Sequence, residues 1–266
     1  MKIVRKIRTL SRVLRKLGIR AVLRLILQKV SGVPHVNSHV AFDPAGLNLS
    51  SSPKHAIISF SQIDPALLDS YDAEFKEYMG DFELRLKKPR STFFEEIFDL
   101  GPNMGQFLYL WIRFFQPKLV IETGVAAGAS TNTILSALDK NGYGRLESID
   151  ITSRVGELIE SRLKGNWDLH VINPKVGSSA IGSILKGKHE ASLFLHDSDH
   201  SGEWQIIEFE AAITYLPKGT LIAFDDVTNA LINFVGTRYP EVKTLIFDEN
   251  RKYSALFLAE ASLKES

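Results

Sequence analysis

The fold is decided by the stretch Leu119-Val-Ile-Glu-Thr-Gly-Val-Ala-Ala-Gly-Ala-Ser130. A short apolar run ends at an acid, Glu122, and the chain then turns through Gly124 and Gly128 into a helix-forming segment. This order predicts a strand, a glycine turn and a helix. Such a unit lets the backbone approach a nucleotide-like ligand closely and directs the N-terminal amide groups of the helix toward that ligand.

From Pro117 onward, strand-like and helix-like segments alternate. Five apolar runs predict buried parallel strands: Leu119–Glu122, Leu146–Asp150, Leu169–Ile172, Ser192–Leu195 and Thr220–Phe224. The helices predicted between and after them are Ser130–Leu138, Val155–Leu163, Ala180–Leu185 and Trp204–Tyr215. Two last strands, Lys243–Phe247 and Tyr253–Ala259, are separated by too few residues for a crossover helix, so they must be antiparallel neighbours. The sequence therefore predicts an α/β fold with a doubly wound, mostly parallel, seven-stranded Rossmann-like sheet and a C-terminal antiparallel hairpin.

The composition excludes several classes of protein. The chain has 266 residues, of which 44% are apolar and 24% charged, as in a soluble globular protein. A formal net charge of +1 gives no reason to expect nucleic acid as a partner. The sequence contains no cysteine, which excludes disulfides, a thiolate nucleophile and a cysteine-based zinc site. No apolar run approaches the roughly 18–20 residues of a membrane span, and we predict a cytoplasmic protein.

The chain before the sheet divides into two predicted regions, followed by the main domain at residues 96–266. Residues 1–30 carry many basic residues and no acid, with apolar residues at helical spacing, and predict an amphipathic helical extension. Its apolar face is expected either at a membrane surface or acidic partner, or packed on the domain or on a second subunit of a homo-oligomer. Residues 31–95 are interpreted as a linker and a helical substrate or cap region, with helical turns around Pro65–Met79. Two further helices are predicted at Phe93–Leu100 and Met104–Phe115.

Acidic residues follow the ends of several predicted strands. Asp150 ends the second strand, Asp197 follows the fourth, and Asp225 and Asp226 follow the fifth. The last three carboxylates should converge at adjacent strand ends, where they repel one another unless a cation or a proton relieves them. Oxygen ligands of this kind suit Mg²⁺, which we favour. The alternative is that one acid caps a helix and another pairs with a lysine or arginine.

His200 lies beside these acids and is the candidate general base. Neighbouring carboxylates can hold its pKa in a range useful for proton abstraction. The alternative is that Ser201 simply begins the helix at Trp204 and that His200 is exposed and idle.

Together these segments resemble the class I S-adenosylmethionine (SAM)-dependent methyltransferases. More narrowly, they resemble the metal-dependent O-methyltransferases related to the catechol and caffeoyl-CoA enzymes, and the sugar and antibiotic-tailoring enzymes near them. The resemblance covers roughly residues 100 to 260. It is carried by Gly105-Gln106, the helix to Phe115, Val120–Ser130, Asp150, Asp197–His200 and Ala223–Asp226.

The resemblance assigns a function to each of these positions. It implies that SAM is bound by Glu122, Gly124, Gly128, Ser130, Asp150, Ser178, Ser179 and Asp197, with Asp150 on the ribose and Ser178 or Ser179 near the adenine. It implies that Asp197, Asp225 and Asp226 are the metal ligands, although the third ligand in the related enzymes is typically Asn. His200 stands where those enzymes have a catalytic lysine, and Asp197 and His200 are the predicted catalytic pair.

The expected activity is methyl transfer from SAM to a hydroxyl of a small molecule or sugar-containing natural product, assisted by Mg²⁺ or another divalent cation. Two alternatives remain. One is an NAD-dependent oxidoreductase, although the glycine spacing of a dinucleotide site is missing from the turn after the first strand. The other is a catalytically silent methyltransferase-like module that binds a membrane or a partner through residues 1–30.

Overall fold

The computed structural model describes residues 49–50, 52–60, 63–86, 100–249 and 252–259. The predicted basic extension at residues 1–30, most of the predicted linker and nearly all of the predicted helix at residues 93–100 lie outside the described residues.

The described residues form a seven-stranded sheet in the order β3-β2-β1-β4-β5-β7-β6. Strands β1 to β5 pair in parallel, and β7 runs antiparallel to both of its neighbours, β5 and β6. The predicted sheet and its C-terminal antiparallel hairpin are therefore confirmed. The strands are β1 (Leu119–Thr123), β2 (Arg145–Asp150), β3 (Trp167–Val171), β4 (Ala191–His196), β5 (Leu221–Phe224), β6 (Val242–Asp248) and β7 (Tyr253–Ala259).

Helices cover both faces of this sheet, as expected for a doubly wound fold. Successive residues of β1 point to opposite sides, so Val120 joins the core beneath one helical layer and Ile121 the core beneath the other. The first layer contains α1 (Pro53–Phe60), α2 (Pro65–Leu86), α3 (Pro102–Phe115) and α4 (Ala129–Asn141). The second contains α5 (Gly177–Leu185), α6 (Gly202–Tyr215) and α7 (Asn229–Arg238).

The helix predicted at Val155–Leu163 is wrong. Gly156 lowers helix propensity there, and the backbone amides bond elsewhere. The N–H of Gly156 donates to the carbonyl of Ala126 at 2.9 Å, and that of Leu158 donates to Ala127, also at 2.9 Å. These bonds draw the segment onto the glycine turn, and only a short 3₁₀ helix follows at Ser161–Asn166.

The sequence analysis missed α7, whose start has a recognisable signal. Thr228 is its N-cap, and the threonine side chain accepts a hydrogen bond from the N–H of Leu231. Because the helix starts directly after Asp225 and Asp226, it fixes the chain that leaves the end of β5.

The start of α3 is held by an acid from the far end of the chain. The carboxylate of Glu249 accepts hydrogen bonds from the N–H groups of Asn103 at 2.9 Å and Met104 at 2.8 Å. These are amides of the first turn, which have no acceptor inside the helix. The contact ties α3 to the β6–β7 hairpin.

Within the parts of the chain that the structure describes, no helix has the length and apolar character needed to cross a membrane.

Candidate active site

The glycine turn after β1 is shaped by contact with other parts of the backbone. Gly124 has φ +81°, and a Cβ placed there would lie 2.0 Å from the carbonyl oxygen of Asp197. Gly128 has φ +95°, and its Cβ would lie 3.0 Å from the Cα of Gly156. Glycine is required at both positions because neighbouring protein backbone occupies the space. The sequence predicted that these glycines let a ligand approach the backbone closely. In the structure they let other segments of the protein backbone approach it.

The N-terminus of α4 leaves its amides available. Gly128 caps this helix and makes no side-chain capping bond. The first bond into the helix runs from the N–H of Asn132 to the carbonyl of Gly128 at 2.9 Å, so the amides of residues 129–131 have no acceptor within the helix. Ser130, which is 2% exposed, lies in this first turn. A helix end of this kind favours a negatively charged group such as a carboxylate.

Glu122 lies fully buried beneath the turn. One carboxylate oxygen accepts hydrogen bonds from the hydroxyls of Thr131 at 2.8 Å and Ser148 at 2.7 Å. The other oxygen, Oε1, has no hydrogen-bond partner among the described residues. Burial raises the pKa of Glu122 to about 7, against the lowering effect of the surrounding hydroxyls. Glu122, which lies in β1, therefore links that strand to β2 and α4 through its hydrogen bonds. Its Oε1 atom can accept a hydrogen bond from a further donor.

Asp150 comes together with the turn, as predicted. Its Oδ2 accepts a hydrogen bond from the N–H of Val125 at 2.9 Å, and its Oδ1 accepts one from the N–H of Thr152 at 3.1 Å. The carboxylate is only partly buried, and each oxygen keeps a lone pair for another donor. Ser178 and Ser179 lie exposed in the first turn of α5, and among the described residues no hydrogen bond joins either of them to the glycine turn.

The acids after β5 are paired with a lysine. Lys252 Nζ lies 2.6 Å from Asp225 Oδ2 and 3.5 Å from Asp226 Oδ1. The other oxygen of Asp225 accepts a hydrogen bond from the Ser254 hydroxyl at 2.9 Å. Asp225 is 1% exposed, so this pairing relieves a carboxylate that water does not reach.

Asp197 is the third acid of this edge. Burial raises the pKa of Asp197 well above its usual range, and the carboxylates of Asp225 and Glu122 raise it further. Its backbone N–H donates to the carbonyl of Thr123 at 2.8 Å, which holds the Asp197 loop against the glycine turn.

As these carboxylates lie, they do not fit a metal ion. The prediction of Mg²⁺ rested on charge repulsion that needed a cation or a proton, and the ammonium group of Lys252 is such a cation. Among the described residues, no three His, Cys, Asp or Glu side chains form a group able to hold a metal. For Asp225, the arrangement is the alternative in which an acid pairs with a lysine.

His200 lies close to Asp226. We call the glycine turn after β1, together with the acidic residues and His200 that follow β4 and β5, the cleft. The His200 Nε2 atom lies 3.6 Å from Asp226 Oδ2, and the imidazole is 39% exposed. Burial lowers the pKa of His200, while the Asp226 carboxylate opposes that shift. The imidazole is therefore neutral near pH 7 and can accept a proton. Ser201 also begins α6, because its side chain accepts a hydrogen bond from the N–H of Trp204.

Three residues that form this edge of the site were not predicted from the sequence. The first is Lys252. The second, Gln205 of α6, is fully buried. Its amide donates to the carbonyl of Asp226 at 2.8 Å and accepts from the N–H of Thr228 at 3.0 Å. Asp226 has φ +51°, an uncommon conformation for a residue with a side chain. Gln205 thus stabilises the strained backbone that presents the Asp226 carboxylate. An isolated glutamine on a helix gives no signal in the sequence.

The third missed residue is Glu208, also on α6 and 1% exposed. Its carboxylate accepts hydrogen bonds from His196 Nδ1 at 2.7 Å, from the Ser198 hydroxyl at 2.8 Å and from the Trp204 indole at 2.6 Å. The hydroxyl of Thr123 donates to the same carboxylate. The network fixes the ends of β1 and β4 to α6, directly behind Asp197 and His200.

Part of the chain matches a known protein family. Residues 121–227 match the family model described as a methyltransferase domain. The matched segment begins in β1 and ends just after Asp226, so it contains the glycine turn and the acids of the cleft. A search of curated protein sequences finds no match to this chain.

The solved structures that this chain matches include three methyltransferases of low sequence identity. An O-methyltransferase from Bacillus cereus in complex with SAH is 15% identical, covers 78% of this chain and 96% of its own, and has a TM-score of 0.49. A putative O-methyltransferase from Klebsiella pneumoniae is 19% identical, with 78% and 96% coverage and a TM-score of 0.47. A methyltransferase from Geobacter sulfurreducens is 16% identical, with 80% and 99% coverage and a TM-score of 0.47. We draw no functional conclusion from these three structures. The family match confirms, over residues 121–227, the resemblance to methyltransferases that the sequence predicts.

Proposed function

We propose that this protein is a SAM-dependent methyltransferase that acts on a hydroxyl group of a small molecule. The observation that carries the proposal is the contact between the two halves of the cleft. The missing Cβ of Gly124 leaves room for the carbonyl of Asp197, at a distance of 2.0 Å from the Cβ position. This contact brings the turn after β1 against the loop that carries His200. A ligand bound over the turn therefore lies next to a neutral base.

The residues of the turn suit SAM. Uncapped amides at the start of α4 match the carboxylate of its methionine part, and Asp150 has lone pairs for the two hydroxyls of a ribose. The buried Glu122 Oε1, which has no partner among the described residues, is a further acceptor close to this end. Glu122, Gly124, Gly128, Ser130, Asp150, Ser178, Ser179 and Asp197 remain the proposed SAM-binding residues. Bound SAM would supply an electrophilic methyl group on a sulfonium.

The chain itself supplies alignment and a place for the proton. In the proposed reaction, an acceptor hydroxyl attacks the methyl carbon, the new O–CH₃ bond forms as the S–CH₃ bond breaks, and the hydroxyl proton passes to the imidazole of His200. The attack must be in line with the breaking bond, which requires both molecules to be held in one geometry. Asp226, 3.6 Å from His200, stabilises the imidazolium that forms. Gln205 and the Glu208 network keep the two loops in place.

Labelled methyl transfer tests the proposal. Purified protein is incubated with SAM carrying a labelled methyl group and a panel of sugar, phenolic and polyketide hydroxyl acceptors. We expect His200→Gln to lower the rate on any accepted substrate by about 10²–10⁴-fold, the usual contribution of a positioned base. His189→Gln is the matched control and should keep the wild-type rate, because this exposed histidine precedes β4 and lies at the end of that strand opposite to His200. Equal rates in the wild type and His200→Gln would remove His200 from the mechanism.

No observation favours an NAD-dependent oxidoreductase or a catalytically silent module. A cytoplasmic location, contact of residues 1–30 with a membrane surface, and self-association stay predictions, as does the expectation that nucleic acid is not a partner.

A further inference from the structure

Lys252 is held in a fixed position next to the carboxylates of the cleft. Its backbone carbonyl accepts a hydrogen bond from the N–H of Glu249 at 2.9 Å, across the β6–β7 hairpin. The carbonyl of the next residue, Tyr253, accepts one from the N–H of Val227 at 2.7 Å. The first bond lies within the hairpin and the second joins the hairpin to the loop after β5, so the two bonds fix the backbone around Lys252. The ammonium group is then positioned by its ion pair with Asp225 at 2.6 Å.

The ammonium occupies the position that a divalent cation would need. Asp225 has one oxygen bonded to Lys252 at 2.6 Å and the other to Ser254 at 2.9 Å. Mg²⁺ requires oxygen ligands at about 2.0–2.1 Å in near-octahedral geometry. It can reach Asp225 only by displacing the ammonium, since two cations at one carboxylate repel.

Lys252 also reaches the proposed base through Asp226. Lys252 Nζ lies 3.5 Å from one oxygen of Asp226, and His200 Nε2 lies 3.6 Å from the other. The carboxylate therefore lies between an ammonium and an imidazole. Holding Asp226 in this orientation leaves its second oxygen directed at His200.

We propose that Lys252 takes the place of a divalent metal in this site. Methyl transfer by this protein is then independent of metal ions. Lys252 acts as a positioning residue that orients Asp226 toward His200. This inference rests on the proposed function. It departs from the Mg²⁺ that the sequence favoured. The reaction balances without a metal: the acceptor gives its proton to His200, gains the methyl group, and the sulfur recovers the electron pair of the broken S–CH₃ bond.

The test measures metal binding separately from activity. Mn²⁺ is titrated into full-length protein and followed by electron paramagnetic resonance, in the wild type, Lys252→Met, Lys252→Arg and the control Lys218→Met. Lys218 is exposed and precedes β5, at the end of that strand opposite to the acids. We expect no saturable Mn²⁺ site in the wild type or in Lys218→Met. Lys252→Met should gain a saturable Mn²⁺ site, with binding at least ~10-fold tighter than any by the wild type, because a like charge no longer lies next to the Asp225 carboxylate.

Activity is then measured with and without EDTA. The wild-type rate should not change on chelation, and Lys252→Met should lose about 10²-fold in kcat, as when one preorganised charge or donor is removed. Lys252→Arg keeps the charge and should recover most of that loss, which a purely structural contact would not predict. One bound Mn²⁺ per wild-type chain together with loss of activity in EDTA would overturn the inference, and so would an unchanged kcat in Lys252→Met. If no acceptor is methylated at all, the proposed function fails, while the Mn²⁺ titrations still decide whether Lys252 excludes a metal.

Discussion

The two halves of the cleft differ in the groups that form them, which are backbone groups in one half and charged side chains in the other. The turn after β1 is made of backbone: Gly124 and Gly128 fit against other chain segments, and the uncapped start of α4 presents amides. The opposite edge is made of charged side chains, with Asp225 and Asp226 around Lys252. The first half is formed by one continuous stretch of sequence, and the second gathers residues from β5, α6 and the β6–β7 hairpin.

This difference determines what each half can do. The amides of α4 and the Asp150 carboxylate can hold a cofactor through hydrogen bonds, without taking part in the reaction. The opposite edge holds titratable groups in pairs, which is the arrangement that proton transfer requires. Three changes are expected to separate the two halves, from the largest effect to the smallest.

Gly124→Ala should have the largest effect, a loss of about 4 kcal/mol in the free energy of unfolding. Left-handed backbone costs a residue with a Cβ roughly 1–2 kcal/mol, and forcing an atom into an occupied space adds about 1–3 kcal/mol. Gly142→Ala is the matched control, because Gly142 has φ +63° but nothing within 4 Å of the Cβ position. It should lose about 1 kcal/mol. Equal losses in urea unfolding would show that close packing on Asp197 is not what requires glycine.

Glu122→Gln should change the pH dependence of stability. The pKa of Glu122 is about 7 in the folded protein, against 4.5 for an ordinary glutamate. The folded chain therefore retains a proton that the unfolded chain has lost, and this stabilisation is full below pH 4.5 and lost as the pH rises to about 7. The lost amount is about 3 kcal/mol. Urea unfolding of both proteins across this range should show the variant gaining on the wild type by that amount. A constant difference would contradict a raised pKa.

Gln205→Leu should have the smallest effect, about 2 kcal/mol of stability. It leaves the carbonyl of Asp226 and the N–H of Thr228 without their buried partner, which costs about 1–3 kcal/mol. Methyl transfer should slow because Asp226 is no longer held, while the affinity for S-adenosylhomocysteine, measured by calorimetry, should stay unchanged. A fall in that affinity would mean that the two halves are coupled and not separate.

The sequence predicted the backbone half well because its signal is local. A strand, a glycine turn and a helix lie in order within Leu119–Ser130, and the hairpin follows from the short gap before Tyr253. It predicted which acids meet at the strand ends, because parallel strands end at one edge. It could not predict Lys252 as the partner of Asp225, since that contact depends on β7 lying next to β5. The Val155–Leu163 error has the same origin, because those amides bond to the turn at Ala126 and Ala127.

Calorimetry with S-adenosylhomocysteine and NAD⁺ tests the central claim. According to this claim, the turn after β1 binds SAM and S-adenosylhomocysteine, the product left after methyl transfer, while the opposite edge holds the residues that transfer the proton. We predict one S-adenosylhomocysteine bound per chain, no binding of NAD⁺, and a loss of roughly tenfold or more in Asp150→Asn, because a hydrogen bond to a charged group contributes about 1.5–3 kcal/mol. Asp168→Asn, an exposed acid on the neighbouring strand β3, should bind as the wild type does. Binding of NAD⁺ in place of S-adenosylhomocysteine, or equal affinity in Asp150→Asn and the wild type, would contradict the account.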